Sequence, residues 1–295
     1  MAKIAAVTVT YNSATVLRPF LACCSAQSHP DFRLIVIDNA SRDDTRAILA
    51  TVTDPRVQVV CNDANVGVAE GNNQGIRIAL AEQFDYVLLI NNDTEFPPDL
   101  FTELEKVLAS HTADAVTPRI TYFDEQQNDW FADGGFTTFP AGITGRHVTP
   151  SPPHRRDVRP IGYAPTCCML VRTQVFRTVG LMDAEYFVYW DDTDFCWRLR
   201  VAGKTLLIAP DVVLAHKVSS LTGGLSSDFF IKYHYRNQMY FVKKHFGFLA
   251  TWYTAALLAA TIVGRIVARG DSLTMCRKRL ASLASGLRMS VNSAR

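Results

Sequence analysis

Carboxylates on well-placed backbone are a common source of proton-transfer and cation-binding chemistry, and this chain gathers them in a few places. The segment Tyr189-Trp190-Asp191-Asp192-Thr193-Asp194 puts three acids at the predicted start of a helix. Neighbouring carboxylates raise one another's proton affinity, which suits one of them to act as a general base. Asp194 and Arg198 stand four residues apart, the spacing of an ion pair on one helix face. Another acid, Asp93, follows the apolar run Leu88-Leu89-Ile90 through Asn91 and Asn92. A carboxylate just beyond a buried strand can hold a divalent cation against a diphosphate, or it can open a turn before Pro97. His216, after the apolar run Val212–Ala215, is either a metal ligand or a structural imidazole.

Such side chains need a frame, and short apolar runs alternating with amphipathic stretches supply one. Ile4–Thr10, rich in Val, Ile and Thr, reads as a strand, and Thr15–Gln27 as a helix with Val16, Leu17, Phe20 and Leu21 on one face. Strands follow at Leu34–Ile37, Val57–Val60 and Tyr86–Ile90. Helices are predicted after Ser41-Arg42-Asp43-Asp44, over Gly71–Phe84, and from Pro97-Pro98 to about Ser110. This is the pattern of βαβ units around a largely parallel sheet, where ligands bind beyond the carboxyl ends of the strands. Those ends are all polar here: Thr10-Tyr11-Asn12, Asp38-Asn39, Asn62-Asp63-Ala64-Asn65 and Asn91-Asn92-Asp93. One such cluster is an ordinary turn; four in succession on one sheet edge predict a site. The glycines of the stretch from Asn65 to Gly75 match neither a GxGxxG fingerprint nor a phosphate loop ending in Lys-Ser/Thr. They could instead bring backbone close to a sugar or ribose. Residues 121–165, rich in Gly, Pro and aromatics, are predicted to form loops and short strands of the kind that carry specificity. Regular structure resumes at Cys167–Val171, with helices near Thr173–Val179, from Asp191 to Ala202, and over 227–246.

Composition bounds the possibilities. With 295 residues, 48% hydrophobic and 20% charged, the chain can bury a large core, and one α/β domain with an appendage is expected. Thirty Lys+Arg against 28 Asp+Glu leave a net charge of +2, which excludes a uniformly basic nucleic-acid binder. The average hides an asymmetry: residues 1–228 hold 19 basic and 27 acidic residues, and residues 229–295 hold 11 basic residues and one acid, Asp271. Seven cysteines, with adjacent pairs at Cys23-Cys24 and Cys167-Cys168 and no CxxC, suggest neither a disulfide framework nor a zinc site. The start runs into a strand without an apolar signal segment, so a reducing, cytoplasmic setting is expected.

Several motifs together resemble a known family. VTVTYN (7–12), VIDNAS (36–41), NVGVAEGNNQG (65–75), LLINNDT (88–94), CCMLVRTQVFRTVGLMD (167–183) and YWDDTDFCWRLRVAGK (189–204) stand in the order and spacing of inverting family 2 glycosyltransferases. His216 followed by Ser219-Ser220 extends the match, and within the family the chain is most similar to the bacterial rhamnosyltransferase-like branch. The resemblance covers about residues 3–220. It implies a GT-A fold, an α/β architecture with a mixed, mainly parallel sheet flanked by helices, over residues 1–226. Residues 1–110 would be its nucleotide-binding half and 111–226 its acceptor half, with 227–295 a basic helical extension. The resemblance further implies a nucleotide-sugar donor, a dTDP- or UDP-sugar, and a divalent cation, Mg²⁺ or Mn²⁺. Thr10, Tyr11 and Asp38 would surround the pyrimidine, with Asn12 and Asn39 beside them. Asn65, Gly71 and Asn72 would line the ribose and donor sugar. Asn91-Asn92-Asp93 stands at the family's Asp-x-Asp metal motif, so Asp93 would be the main cation ligand, with Asn91 and Asn92 near the donor and His216 completing the metal site. Asp192 corresponds to the second residue of the family's acidic pair and would be the catalytic base, with Asp191 the runner-up. The acceptor would be a cell-surface glycan or a lipid-linked sugar. Two other readings, a nucleotide-sugar nucleotidyltransferase and a non-catalytic glycan-binding module, are opposed by the absence of a basic phosphate loop after the first strand and by the pairing of Asp192 with Asp93.

The tail needs its own account. Between His245 and Arg265 lie 19 uncharged residues, which at about 1.5 Å each could just cross a bilayer core of about 30 Å. Three readings are open: a helix on an anionic membrane surface, a buried core or homodimer helix, and a transmembrane span. On the first, Arg265, Arg269, Arg277, Lys278, Arg279 and Arg288 would face headgroups, and the protein would be peripheral at the cytoplasmic face. No nucleic-acid partner is expected.

Overall fold

The computed structural model describes residues 2–137, 144–148, 156–218 and 227–291, less the side chains of Val267 and Arg269. The chain divides into two compact units: Met1–Gly135, Gly145–Phe187 and Asp191–Leu221 form the first, and Phe136–Thr144, Val188–Trp190 and Thr222–Arg295 the second. Ser219-Ser220 lie outside the described residues.

The first unit is built on four largely apolar strands. β1 (Ile4–Thr10), β2 (Phe32–Asp38), β3 (Val57–Cys61) and β4 (Tyr86–Ile90) pair in parallel in the order β4-β1-β2-β3, and β4 is buried along its whole length. Continuous burial of this kind follows from helices covering both faces of a parallel sheet. The connections α1 (Ala14–Ser25), α2 (Thr45–Ala50) and α3 (Gly67–Ala81) supply the cover. α3 begins four residues before its predicted start and lies close on the sheet. A Cβ on Gly71 would come within 2.8 Å of the Val9 side chain, and one on Gly75 within 2.3 Å of Val7. Small residues at these two positions let the helix settle on β1.

Beyond β4 the sheet turns mixed. After β5 (Thr94–Glu95) and α4 (Leu100–Ser110) come β6 (Ala115–Tyr122), β7 (Asp129–Phe131), β8 (Gly134–Thr137), β9 (Thr144–His147), β10 (Arg159–Ile161) and β11 (Cys168–Arg172). α5 (Thr173–Thr178), α6 (Asp191–Val201) and β12 (Leu206–His216) complete the unit. The full order is β10-β12-β6-β11-β4-β1-β2-β3, with β11 antiparallel between β4 and β6 and β12 parallel to β6. β5 pairs antiparallel with β12, setting Thr94 opposite His216. That register brings the end of the first motif half to the end of the last strand.

The second unit is helical. The predicted helix over 227–246 is the opening part of α7 (Asp228–Arg269), which is broken at Gly247, where φ is 76° and ψ −172°. Glycine tolerates this left-handed φ without a Cβ penalty. After Gly270, in the left-handed region, α8 (Leu273–Arg288) runs back, capped by Ser272, whose hydroxyl accepts from Met275 N–H at 3.2 Å. Met239, Ala255, Ile262, Cys276 and Leu283 form the core of this three-helix group. A Cβ on Gly286 would lie 2.1 Å from the Arg236 carbonyl, so the helices cross closely there. The expectation that the tail's cations all face outward is corrected. Arg265 and Arg279 both hold Asp271, Lys278 pairs with Asp228 at 2.7 Å, and Arg279 is buried. A lone acid among eleven bases draws the nearest guanidinium groups inward.

Candidate active site

The carboxyl ends of β1, β2 and β4 and the loop after β3 are cross-braced by their own polar side chains. Asp38 is fully buried; its carboxylate accepts from Thr10 Oγ1 at 3.1 Å, Ser41 N–H at 3.2 Å and Arg46 Nε at 2.6 Å. Asn12, at φ 52°, accepts from Arg42 N–H at 2.8 Å, and Asn65 accepts from Gly67 N–H at 2.9 Å, shaping the start of α3. Asn39 donates to the Gly67 carbonyl at 3.0 Å and accepts from Asn62 Nδ2 at 2.8 Å. Asn92 donates to the Val9 carbonyl at 3.0 Å and to Ser13 Oγ at 3.1 Å. Of the predicted donor residues, Asn12, Asn39, Asn65 and Asn92 therefore hold loops in place, and Gly71 packs on Val9. Asn72 is buried on α3, Asn91 is half-buried, and Tyr11 is exposed. Arg46, which no motif pointed to, reaches from α2 to Asp38 and to the Asn62 carbonyl at 2.7 Å while staying half-exposed.

Asp93 and His216 converge across the β5–β12 pairing. Asp93 Oδ1 lies 3.2 Å from His216 Nε2, and both side chains are nearly buried. Burial disfavours the charged imidazole, whereas the neighbouring Cys167 and the Asp93 carboxylate favour it, and the net shift is upward. The pair also fits a hard divalent cation. One carboxylate oxygen and one imidazole nitrogen about 3 Å apart match adjacent corners of an octahedron with bonds of about 2.1 Å. Among the described residues no group of three or more His, Cys, Asp or Glu forms a cation cage. The remaining corners would belong to phosphate oxygens and water, as is usual for Mg²⁺.

A wall from the insertion leads from this pair to the acid cluster. The Trp130 ring stands edge-on to His216 with centroids 4.6 Å apart, and to His147 at 4.9 Å. His147 Nδ1 is 2.8 Å from the Trp130 carbonyl, and its ring lies 6.2 Å from that of Tyr163. Tyr163 O–H donates to Asp192 Oδ2 at 2.8 Å. Two glycines make room for it: a Cβ on Gly134 would lie 2.0 Å from the Tyr163 carbonyl, and one on Gly145 would lie 2.7 Å from its ring. The other Asp192 oxygen accepts from Thr193 N–H at 2.6 Å and Thr193 Oγ1 at 3.2 Å.

Burial governs the electrostatics of this cluster. It pushes the Asp191 carboxyl up to about 8, with the Asp192 charge adding to the effect. It raises Asp192 too, against the hydrogen bonds from Tyr163 and Thr193 that favour its anion. Both carboxyls are therefore held above the ordinary carboxylate range. Asp194 takes no part, since Arg198 binds it at 2.7 Å and Tyr186 O–H at 3.2 Å. The backbone leading into the pair is strained: Phe187, Tyr189 and Trp190 all have φ between 61° and 69°. Asn237 Nδ2 holds the Val188 and Tyr189 carbonyls at 2.8 and 2.9 Å, and Trp190 Nε1 donates to His234 at 3.3 Å. Strain of this kind persists only where surrounding contacts over-determine it.

The chain is similar to several known proteins. Residues 5–180 match the model of Glycosyl transferase family 2. An N-acetylglucosaminyl-diphospho-decaprenol L-rhamnosyltransferase of Mycobacterium tuberculosis is 26% identical over 305 residues, covering 95% of this chain and 97% of its own. The dTDP-rhamnosyl transferase RfbF of Shigella flexneri is 24% identical over 217 residues, 73% of this chain and 69% of its own. In fold, a mannosyltransferase of Pyrobaculum calidifontis in complex with GDP-Man and Mn²⁺ superposes with a TM-score of 0.59 at 16% identity, over 97% of this chain and 86% of that one.

Proposed function

The chain belongs to glycosyl transferase family 2, and from that premise we propose that it is an inverting rhamnosyltransferase acting on a lipid-linked sugar at the cytoplasmic face of a membrane. The observation that carries the mechanism is the half-buried carboxylate of Asp192, held by Tyr163 O–H at 2.8 Å and Thr193 N–H at 2.6 Å beside the buried Asp191. The rhamnosyl donor and the lipid-linked acceptor rest on the near full-length relative that carries both in its name, and a dTDP-sugar on RfbF. Residues 1–226 form the catalytic body.

Single-displacement inversion needs one base. The acceptor oxygen attacks the anomeric carbon, the bond to the diphosphate oxygen breaks with its electron pair, and the acceptor proton passes to Asp192. The two Thr193 contacts aim one oxygen of that carboxylate and Tyr163 the other. Removing a positioned base costs about 10²–10⁴-fold. Tyr11, exposed beside the buried Thr10 and Asp38, would face the pyrimidine, with Arg46 balancing the charge on Asp38. Asp93 and His216 would hold Mg²⁺ or Mn²⁺, which when bound supplies positive charge against the leaving diphosphate.

The test is transfer from dTDP-rhamnose, with UDP- and GDP-sugars as controls, to a polyprenyl-diphospho-N-acetylglucosamine. A β-configured donor giving an α-linked product, or the reverse, is the expected outcome. Retained configuration would remove the single-base mechanism, and transfer only from another sugar nucleotide would remove the rhamnosyl assignment.

A further inference from the structure

The second unit carries a surface that sugar transfer does not use. Past Gly247, α7 turns Phe248, Leu249, Trp252, Tyr253, Leu257 and Val263 to solvent, with Leu249 83%, Phe248 74% and Trp252 53% exposed. Their spacing places them on one side of the helix, and Thr251, Thr254, Ala255 and Ile262 are buried on the other. No charged residue occurs from 248 to 264. A contiguous aromatic and aliphatic face of this size marks an interaction site. The surrounding sequence, residues 229–295, carries eleven bases against one acid, and Asp271 is already satisfied by Arg265 and Arg279. Arg277 and Arg288 remain exposed on α8.

An apolar face with Trp, Tyr and Phe in a segment rich in bases is the chemistry of an anionic lipid surface. By length and composition Asp228–Ile266 passes as a candidate membrane span, and past the break at Gly247 its uncharged part ends at Gly264. From 248 to 264 the uncharged helix is roughly 25 Å long, short of a bilayer core of about 30 Å, and one of its sides is packed in the core with Cys276 and Leu283.

We propose that the exposed face of residues 248–263 docks on an anionic phospholipid surface, with the helix lying in the headgroup region, its aromatic side chains inserted and no crossing of the bilayer. The inference is independent of the sugar and of the catalytic base. Flotation of the full chain with vesicles of phosphatidylcholine, with and without phosphatidylglycerol, tests it. Binding is expected with phosphatidylglycerol at low salt, about tenfold or more weaker without it or at high salt, and released by alkaline carbonate. Trp252 emission should shift to the blue on binding, a change absent in Trp252→Phe. Leu249→Asp with Trp252→Asp should abolish flotation while leaving the melting temperature and donor hydrolysis unchanged. Failure of the wild type to float, equal flotation of the double variant, or resistance to carbonate would overturn the proposal. So would a concentration-dependent dimer that those substitutions dissolve without any vesicle binding, which would assign the face to a second copy of the chain.

Discussion

The carboxylates at the two ends of the site are treated in opposite ways. Asp38 is surrounded by donors from its own chain, Thr10, Ser41 and Arg46, each within 3.2 Å. Asp191 and Asp192 sit in a nearly dry cluster where burial drives protons onto them. The first arrangement fixes geometry and sets a guanidinium against the charge. The second sets Asp192, which also accepts from Tyr163 and Thr193, beside another acid instead of a guanidinium, and burial raises its proton affinity, as a general base needs. The two carboxylates thus differ in what surrounds them, not in residue type.

Three substitutions would break or sharpen that contrast. The largest effect is expected from Asp192→Asn, which should lower transfer by about 10²–10⁴-fold while thermal-shift binding of the donor nucleotide stays as in the wild type. Loss of donor binding in that variant would put Asp192 on the donor side instead.

Tyr163→Phe comes next. It removes a hydrogen bond that favours the Asp192 anion, of about 1.5–3 kcal/mol for a charged acceptor, equivalent to about one to two pH units. The acidic limb of the rate profile should move up by that amount, leaving activity at high pH nearly intact. A uniform loss across pH would mean that Tyr163 only packs. His147, Asp191, Asp194, Cys196 and Arg198 also face this cluster, so the shift is read against wild type under the same ionic conditions.

The smallest effect concerns stability. A carboxyl whose native pKa is raised to about 8 holds its proton in the folded state after the unfolded chain has lost it. The unfolded state then binds fewer protons, so stability is greatest below about pH 4 for this group and falls as pH rises toward 8. Asp191→Asn should flatten that decline in denaturant titrations across the same range. An unchanged slope would show that Asp191 is not the group holding the proton.

The legible part of the fold was the part built from short-range pattern. β1 to β4, the helices between them and the polar strand ends follow from alternation and turn residues, because each element is local and buried on predictable faces. β6 and β12 were less visible, since their pairing joins segments about ninety residues apart and no local signal encodes that. Trp130, His147 and Tyr163 were missed for a related reason. Each is an ordinary aromatic or imidazole in an irregular stretch, and only the fold brings it beside His216 or Asp192. Gly134 and Gly145 were a usable hint, since two glycines flanking one stretch can mark a slot for a large ring. The break at Gly247 was hidden because a lone glycine in an apolar run costs a helix only about 1 kcal/mol and so reads as tolerated.

The left-handed residues before Asp191 carry one more implication, for anyone who would improve this protein by selection. Phe187, Tyr189 and Trp190 hold a backbone shape in which glycine would be more at ease. Glycine would relieve that strain, but at Trp190 it would also remove a buried ring, a larger loss than the strain it relieves. The same exchanges would discard the Trp190 ring that docks on His234 and loosen the lead-in to the acid pair. Stability and aim depend on the same rings here, so thermostabilising libraries should leave 187–190 untouched.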